Sequence, residues 1–206
     1  IINLHGASRE AEIAMANVLT GGNWHDRPVW DHTAVVCPQF LFTNDIEYYN
    51  PTDSLFYWHN IGATGPTWCY GEESDNHEDH PRSFSRSSYQ CLDTLAVLVL
   101  ESFPNLENLV FAGHSAGARF TQRYALVTRW DIGLNSPRIL FNYANPAVYA
   151  YIGPERYVGD NWDQFAIPPQ NEIDECPEYD DWPFGLQNPF EYFFDITPEE
   201  VLENYG

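Results

Sequence analysis

The sequence predicts an α/β fold, a parallel sheet with helices on both faces. Three observations predict it. Four short apolar runs suit buried strands: IINL at 1–4, TAVVC at 33–37, NLVFA at 108–112 and RILFNYA at 138–144. Stretches of helical spacing alternate with them, the order that builds a parallel sheet from crossover units. One run passes directly through a glycine turn into a helix, LVFAGHSAGARFTQRYA at 109–125.

The elements follow in order. IINL ends in HGAS. From Ser8 to about Leu19 the spacing is helical, with Ser8 as the N-cap, Glu10 and Glu12 in the first turns, and Gly21–Gly22 as the stop. TAVVC is a strand closed by Pro38. Residues 41–85 are aromatic, punctuated by Gly and Pro, and aperiodic, which marks a long functional loop or lid. Ser87 to about Phe103 is a helix with Leu92, Leu95, Ala96, Val99 and Leu100 on one face. After the glycine turn a helix runs to about Arg129, and RILFNYA is the last strand. Beyond about Ala150 the chain is acidic, aromatic and loop-rich, with Arg156 its only base, and the whole reads as one domain. A final helix starts with Thr197 as cap and Pro198 at its first position.

Composition narrows the function classes. With 206 residues, 44% apolar and 16% aromatic, the chain can bury a sizeable core. Thirty acidic residues against nine basic ones, all arginine, give a net charge of −21. Such a surface repels nucleic acid and anionic membranes, and it suits cations, basic partners or solubility in a salty or extracellular medium. No apolar run is long enough to span a membrane. The first residue is Ile, so a trimmed or mature N-terminus is expected. Cys37, Cys69, Cys91 and Cys176 are even in number and lack zinc-ligand spacing. Cys69 and Cys91 bracket a polar loop that a disulfide would staple, and disulfides imply secretion. The alternative is four free thiols.

Gly113-His114-Ser115-Ala116-Gly117 fits G-x-S-x-G. A serine on a strained strand-to-helix turn lifts its hydroxyl clear of the sheet, and bulky neighbours would clash there, so Gly113 and Gly117 are required. The Ala116 N–H, at the helix N-terminus, points toward a developing oxyanion. LHGAS supplies a second donor: Gly6 lets the chain turn close to the site, Ala7 N–H is the first candidate and Ser8 N–H the second. His5 is expected to brace this loop through hydrogen bonds.

LHGAS, PQF, SSYQCLD, AGHSAGARFTQRYA and NYANPAVYAYI together resemble the α/β-hydrolase superfamily, in particular secreted esterase-like members with a GHSAGG-type nucleophile elbow. The resemblance covers roughly residues 1–155 and departs mildly at Ala118, where a second glycine is common. It implies an esterase-like serine hydrolase with Ser115 as nucleophile and Ala116 and Ala7 as oxyanion hole; separately, the residue spacing leads to the expectation of no cofactor and no metal. A substrate contact for Asn145 or Tyr149 is a further expectation. It also implies a sheet incomplete at both ends, because the superfamily has strands before the one ending in His-Gly, and acid and histidine on later strands.

No histidine follows Ser115: all seven lie at or before position 114. Asp160, Asp163, Asp174, Asp180, Asp181 and Asp195 follow it, but none ends a convincing strand. Serine is a weak nucleophile without a base. Three explanations stand. A companion chain or further segment carries acid and histidine; the chain is a catalytically inactive subunit of an extracellular assembly; or His59, His77 or His80 has been recruited. His114 is a poor base, since that position of the elbow points away from the hydroxyl. NHEDH at 76–80 could hold a metal but has no second cluster, and the acidic tail lacks the order of a calcium loop. Tyr48, Tyr49, Phe56, Tyr57, Trp58, Trp68 and Tyr70 either form an apolar or sugar-binding roof over Ser115 or pack the long loop onto the domain. Phe190, Tyr192, Phe193 and Phe194 suggest a surface for a partner segment.

Overall fold

The computed structural model describes residues 1–23, 29–49, 55–60, 65–128, 130, 137–159, 164–188, 192, 197 and 199–201. They form two compact units, Ile1–Ala147 and Val148–Gly206. The first is α/β. Its sheet has three parallel strands in the order β1 (Ile2–Leu4), β4 (Asn108–His114), β5 (Arg138–Ala144). Leu4 lies beside Gly113, and Gly113 beside Tyr143. The expected strand at 33–37 contributes a single parallel bridge, Val36 to Ile2. Val36 N–H donates to Ile1 O at 2.8 Å and Asn3 N–H to Val36 O at 2.8 Å. Pro38, two residues on, has no N–H with which to extend a ladder.

Burial alternates along β4, with Leu109, Phe111 and Gly113 buried. That face meets α4 (Ala116–Val127), where Phe111 packs edge-on to Tyr124 at 5.3 Å. Ten of the twelve α4 residues are buried, so this is a core helix rather than a surface one. Beyond it lies α3 (Ser88–Ser102), whose Tyr89 ring meets Phe120 edge-on at 4.8 Å. Leu92, Ala96 and Val99 are its buried stripe, as the spacing predicts, while Leu95 and Leu100 are half-buried. The opposite sheet face carries α1 (Ala11–Asn23), through an Asn3 Nδ2 bond to Ala14 O at 3.2 Å.

Two boundaries of α1 differ from expectation. The chain first spends Gly6–Arg9 on a turn, closed by Arg9 N–H to Gly6 O at 3.1 Å, so Ser8 is not the cap. The helix then continues through Gly21–Gly22 to Asn23, and a Cβ on Gly21 would meet nothing within 4 Å.

The long loop is structured. It contains β2 (Leu41–Phe42) paired in parallel with β3 (Tyr57–Trp58), α2 (Thr43–Tyr49) and a buried 3-10 turn at Thr67–Tyr70. Tyr57, Trp58, Trp68 and Tyr70 are buried, Tyr48 is exposed and Phe56 half-buried, and the Tyr49 side chain lies outside the described residues. Trp68 stacks on Phe40 at 5.0 Å and tilts against Phe120 at 5.9 Å. These rings fasten the loop to the core.

All four cysteines are free, so the disulfide expectation is corrected. Cys69 is sealed inside the 3-10 turn, where burial pushes its thiol far up, and it lies on the α4 side. Cys91, pushed by burial to about 11, faces instead a cavity of about 250 Å³ lined by Phe40, Leu41, Trp58, Leu92 and Leu95.

The second unit, expected to be mostly loop, holds an antiparallel pair, β6 (Arg156–Val158) and β7 (Gln164–Ala166), and α5 (Gln170–Glu175). At its end Thr197 caps Glu199–Val201: Glu200 N–H donates to Thr197 Oγ1 at 3.2 Å, and Thr197 N–H to Glu200 Oε2 at 2.8 Å. Of the aromatic run 190–194 only Tyr192 is among the described residues. Among those residues, no helix is long and apolar enough to cross a membrane.

Candidate active site

Ser115 sits between β4 and α4 with φ 58° and ψ −114°. A non-glycine residue there costs about 1–3 kcal/mol and persists only when its surroundings hold it. They do so on both sides. Ser115 N–H donates to Ala144 O at the end of β5 at 3.1 Å, and Ser115 O accepts from Arg119 N–H at 3.1 Å. A Cβ on Gly113 would lie 2.3 Å from the Gly117 backbone, and one on Gly117 would lie 2.4 Å from Leu4 O. The first turn of α4 therefore rests directly on the ends of β1 and β4. Ala116 is the first residue of α4, so its N–H has no intrahelical acceptor.

Beside Ser115 stands the loop leaving β1. A Cβ on Gly6 would be 4.0 Å from Ser115 Cβ. Ala7 and Ser8 are the exposed central residues of the Gly6–Arg9 turn. Closure uses only the last N–H and the first C=O, which leaves the Ala7 and Ser8 N–H groups out of that bond. A groove of about 620 Å³ between α1 and the sheet is lined among others by Gly6, Ser8, Ala14, Ala112 and His114, and not by Ser115.

His5 is buried at the base of the loop. Its Nε2 accepts from Phe40 N–H at 2.9 Å, and its Nδ1 is 2.8 Å from Gly6 O. A backbone N–H can only donate and a carbonyl can only accept, so the ring is the neutral Nδ1–H tautomer. Burial is also the main force holding its basicity below the ordinary imidazole value. Both nitrogens are committed to backbone groups, one in the loop and one at Phe40, which makes His5 a brace and not a proton acceptor.

Three groups that sequence reasoning gave no role complete the loop. Arg9, at φ 60°, binds Asp45 through Nε to Oδ2 at 2.8 Å and Nη2 to Oδ1 at 3.0 Å. Asp45 Oδ2 also accepts from Phe42 N–H at 2.7 Å, at the start of α2. Burial raises the Asp45 carboxyl, but hydrogen bonds from Arg9 and Phe42 outweigh it and hold the group below the usual carboxylate value. Gln39 Oε1 accepts from Ala11 N–H at 3.0 Å, and its Nε2 donates to Arg9 O. One sequence signal existed: a cation opposes the positive end of a helix, so arginine beside the start of α1 asks for another partner.

His59, His77 and His80 make their contacts within the long loop. His59 Nδ1 is 2.7 Å from Asp75 Oδ1. His77 lies 3.2 Å from Asp79, and its O accepts from His80 N–H at 3.0 Å, folding NHEDH into a tight turn. Among the described residues no group of three His, Cys, Asp or Glu is placed to hold a metal. His114 Nε2 is 3.3 Å from Asn145 Nδ2, and Asn145 follows β5 with φ 54°. Tyr149 belongs to the second unit, as do Asp174, Asp180 and Asp181, whose carboxylates bind Gln170, Arg156 and Asn188 there. Asp160, Asp163 and Asp195 lie outside the described residues.

The assembled parts are a hydroxyl on a strained turn, a helix N-terminal amide next to it, and a facing turn with two further amides. Such a set can present an oxygen nucleophile to an electrophilic carbon and receive a developing negative oxygen. No family model, curated protein or solved structure matches the chain.

Proposed function

We propose that this chain bears the nucleophile of a serine hydrolase of the α/β-hydrolase type, acting on an ester or related acyl bond. The observation that carries the proposal is Ser115 itself: a non-glycine residue at φ 58°, clamped between glycines that backbone contacts demand. Strand order supports it. β1 and β4 are parallel neighbours, so the Gly6–Arg9 turn and Ser115 leave the same end of the sheet side by side. In this reading Ser115 Oγ attacks the acyl carbon, and the tetrahedral oxyanion takes hydrogen bonds from Ala116 N–H and Ala7 N–H, with Ser8 N–H as alternative donor. A histidine oriented by a carboxylate, carried on a further segment or companion polypeptide, takes the hydroxyl proton and returns it to the leaving group. An extracellular address belongs to the proposal through the acidic, lysine-free composition; the free cysteines lend it no support.

A second reading, a catalytically inactive subunit serving binding or assembly, is favoured by one observation. All seven histidines lie at or before position 114, and the one beneath the site, His5, has both nitrogens engaged. A fluorophosphonate probe decides between the two. The enzyme reading expects covalent labelling at Ser115 in the native material and its loss in Ser115→Ala. Native material that takes no label while folded supports the inactive subunit.

A further inference from the structure

The loop facing Ser115 is an irregular turn that ends on a residue in the left-handed region. Arg9 has φ 60°, a region that long side chains rarely occupy. Something must hold the turn, and the polar contacts around it converge on one device. The Arg9 guanidinium grips Asp45 with two parallel hydrogen bonds and lies 4.2 Å over the Phe42 ring. Its third nitrogen reaches back to Ala7 O at 3.4 Å. Asp45 is itself fixed by Phe42 N–H at the start of α2. The fork-on-fork geometry sets orientation as well as distance, which a lysine cannot reproduce. Gln39 ties the Arg9 carbonyl and the Ala11 N–H from the other side. The pair joins residues 36 apart in the chain, and both side chains are largely shielded, at 26% and 15% exposure.

We infer that the Arg9–Asp45 clasp is a positioning device that sets the Ala7–Ser8 amides against the oxygen developing at Ser115. This rests on the hydrolase reading above and adds to it the residues that preorganise the second oxyanion donor. Arg9 and Asp45 touch neither the nucleophile nor the acyl group; they act through the turn. Preorganised donors matter because they cost no reorganisation as charge develops, and a misplacement of about 1 Å costs on the order of 100-fold in rate.

Asp45→Asn keeps an acceptor for Phe42 N–H but removes the charge. Arg9→Lys keeps the charge but not the fork. Two measurements are made on each, on the double variant and on the native chain: the exchange rates of the hydrogen-bonded Arg9 and Ala11 amides, and the fluorophosphonate inactivation of Ser115 resolved into a binding constant and a limiting rate. The inference expects exchange at Arg9 and Ala11 at least about tenfold faster, with α3 and α4 amides unchanged, and a limiting rate lower by about 10–100-fold at unaltered binding constant. The double variant should lose no more than the worse single one, since one clasp is broken either way. Unchanged exchange at Arg9 and Ala11 in both single variants overturns the inference, as does a limiting rate equal to that of the native chain. If the native material, with any companion segment, takes no label, the hydrolase reading fails by itself, and amide exchange alone decides whether the clasp orders the turn.

Discussion

A methyl group on Gly117 would lie 2.4 Å from Leu4 O and 2.9 Å from His5 O, whereas one on Gly21 would meet nothing within 4 Å. The same substitution should therefore act in opposite directions. Gly117→Ala must push α4 off the end of β1, at a cost of about 2 kcal/mol or more. Gly21→Ala should stabilise by about 0.5–1 kcal/mol, because alanine restricts the unfolded chain and suits a helix. Urea unfolding of the two variants checks both signs; equal shifts would mean that close approach of the backbones is not what demands Gly117. His5 is neutral because a donor and an acceptor of fixed polarity sit at its two nitrogens.

At the scale of elements, α3 shows how a local signal and a tertiary contact reinforce each other. Ser87 Oγ accepts from Tyr89 N–H at 3.1 Å, and Ser87 N–H donates to Gln90 Oε1 at 3.3 Å, a reciprocal cap. The same hydroxyl donates to Gly71 O at 2.6 Å, tying the helix start to the end of the 3-10 turn. Ser87→Ala should then cost about 2 kcal/mol, the upper end for a cap, since it also strands a buried carbonyl. Thermal unfolding of the variant tests this. A loss of only a few tenths would show that the Gly71 bond contributes nothing. By contrast α1 has no fully buried side chain among its described residues, and its start is set by Gln39.

Across the whole molecule, charge is the dominant constraint, with 30 acidic residues and nine arginines. Several of the described arginines combine hydrogen bonds with a ring contact, as Arg9 and Arg82 do. Arg156 is the example in the second unit: its guanidinium donates to Gly153 O, Glu155 O, Tyr179 O, Phe184 O and Asp180 Oδ1, and lies 4.3 Å over the Tyr151 ring. With Arg156 and Asp180 at 14% and 22% exposure, Arg156→Gln should destabilise that unit by on the order of 2–3 kcal/mol, less than for a fully buried pair. Hydrogen exchange should rise across residues 148–188 and stay unchanged in 1–147. A uniform rise through both would mean that the units unfold together.

Sequence by itself determined the strands at 1–4, 108–112 and 138–144, the helix after Ser87 and the serine turn. These are set by local rules: apolar periodicity, a reciprocal cap, and glycines where two backbones must meet. Other features were decided only in three dimensions. The 41–85 segment lacks periodicity because its rings pack on separate partners, Trp58 on Phe40, Trp68 on Phe40 and Phe120, and Phe56 on Phe84, rather than on one face of one element. Disulfide pairing depends on which way Cys69 and Cys91 point: Cys69 is sealed in the 3-10 turn, and Cys91 lines the cavity beside Phe40 and Leu41. The left-handed Arg9 and its bond to Asp45 join residues 36 apart, a separation over which composition and spacing carry no information. The turn that offers the nucleophile is written in five adjacent residues, whereas the loop that faces it is shaped by side chains from distant segments.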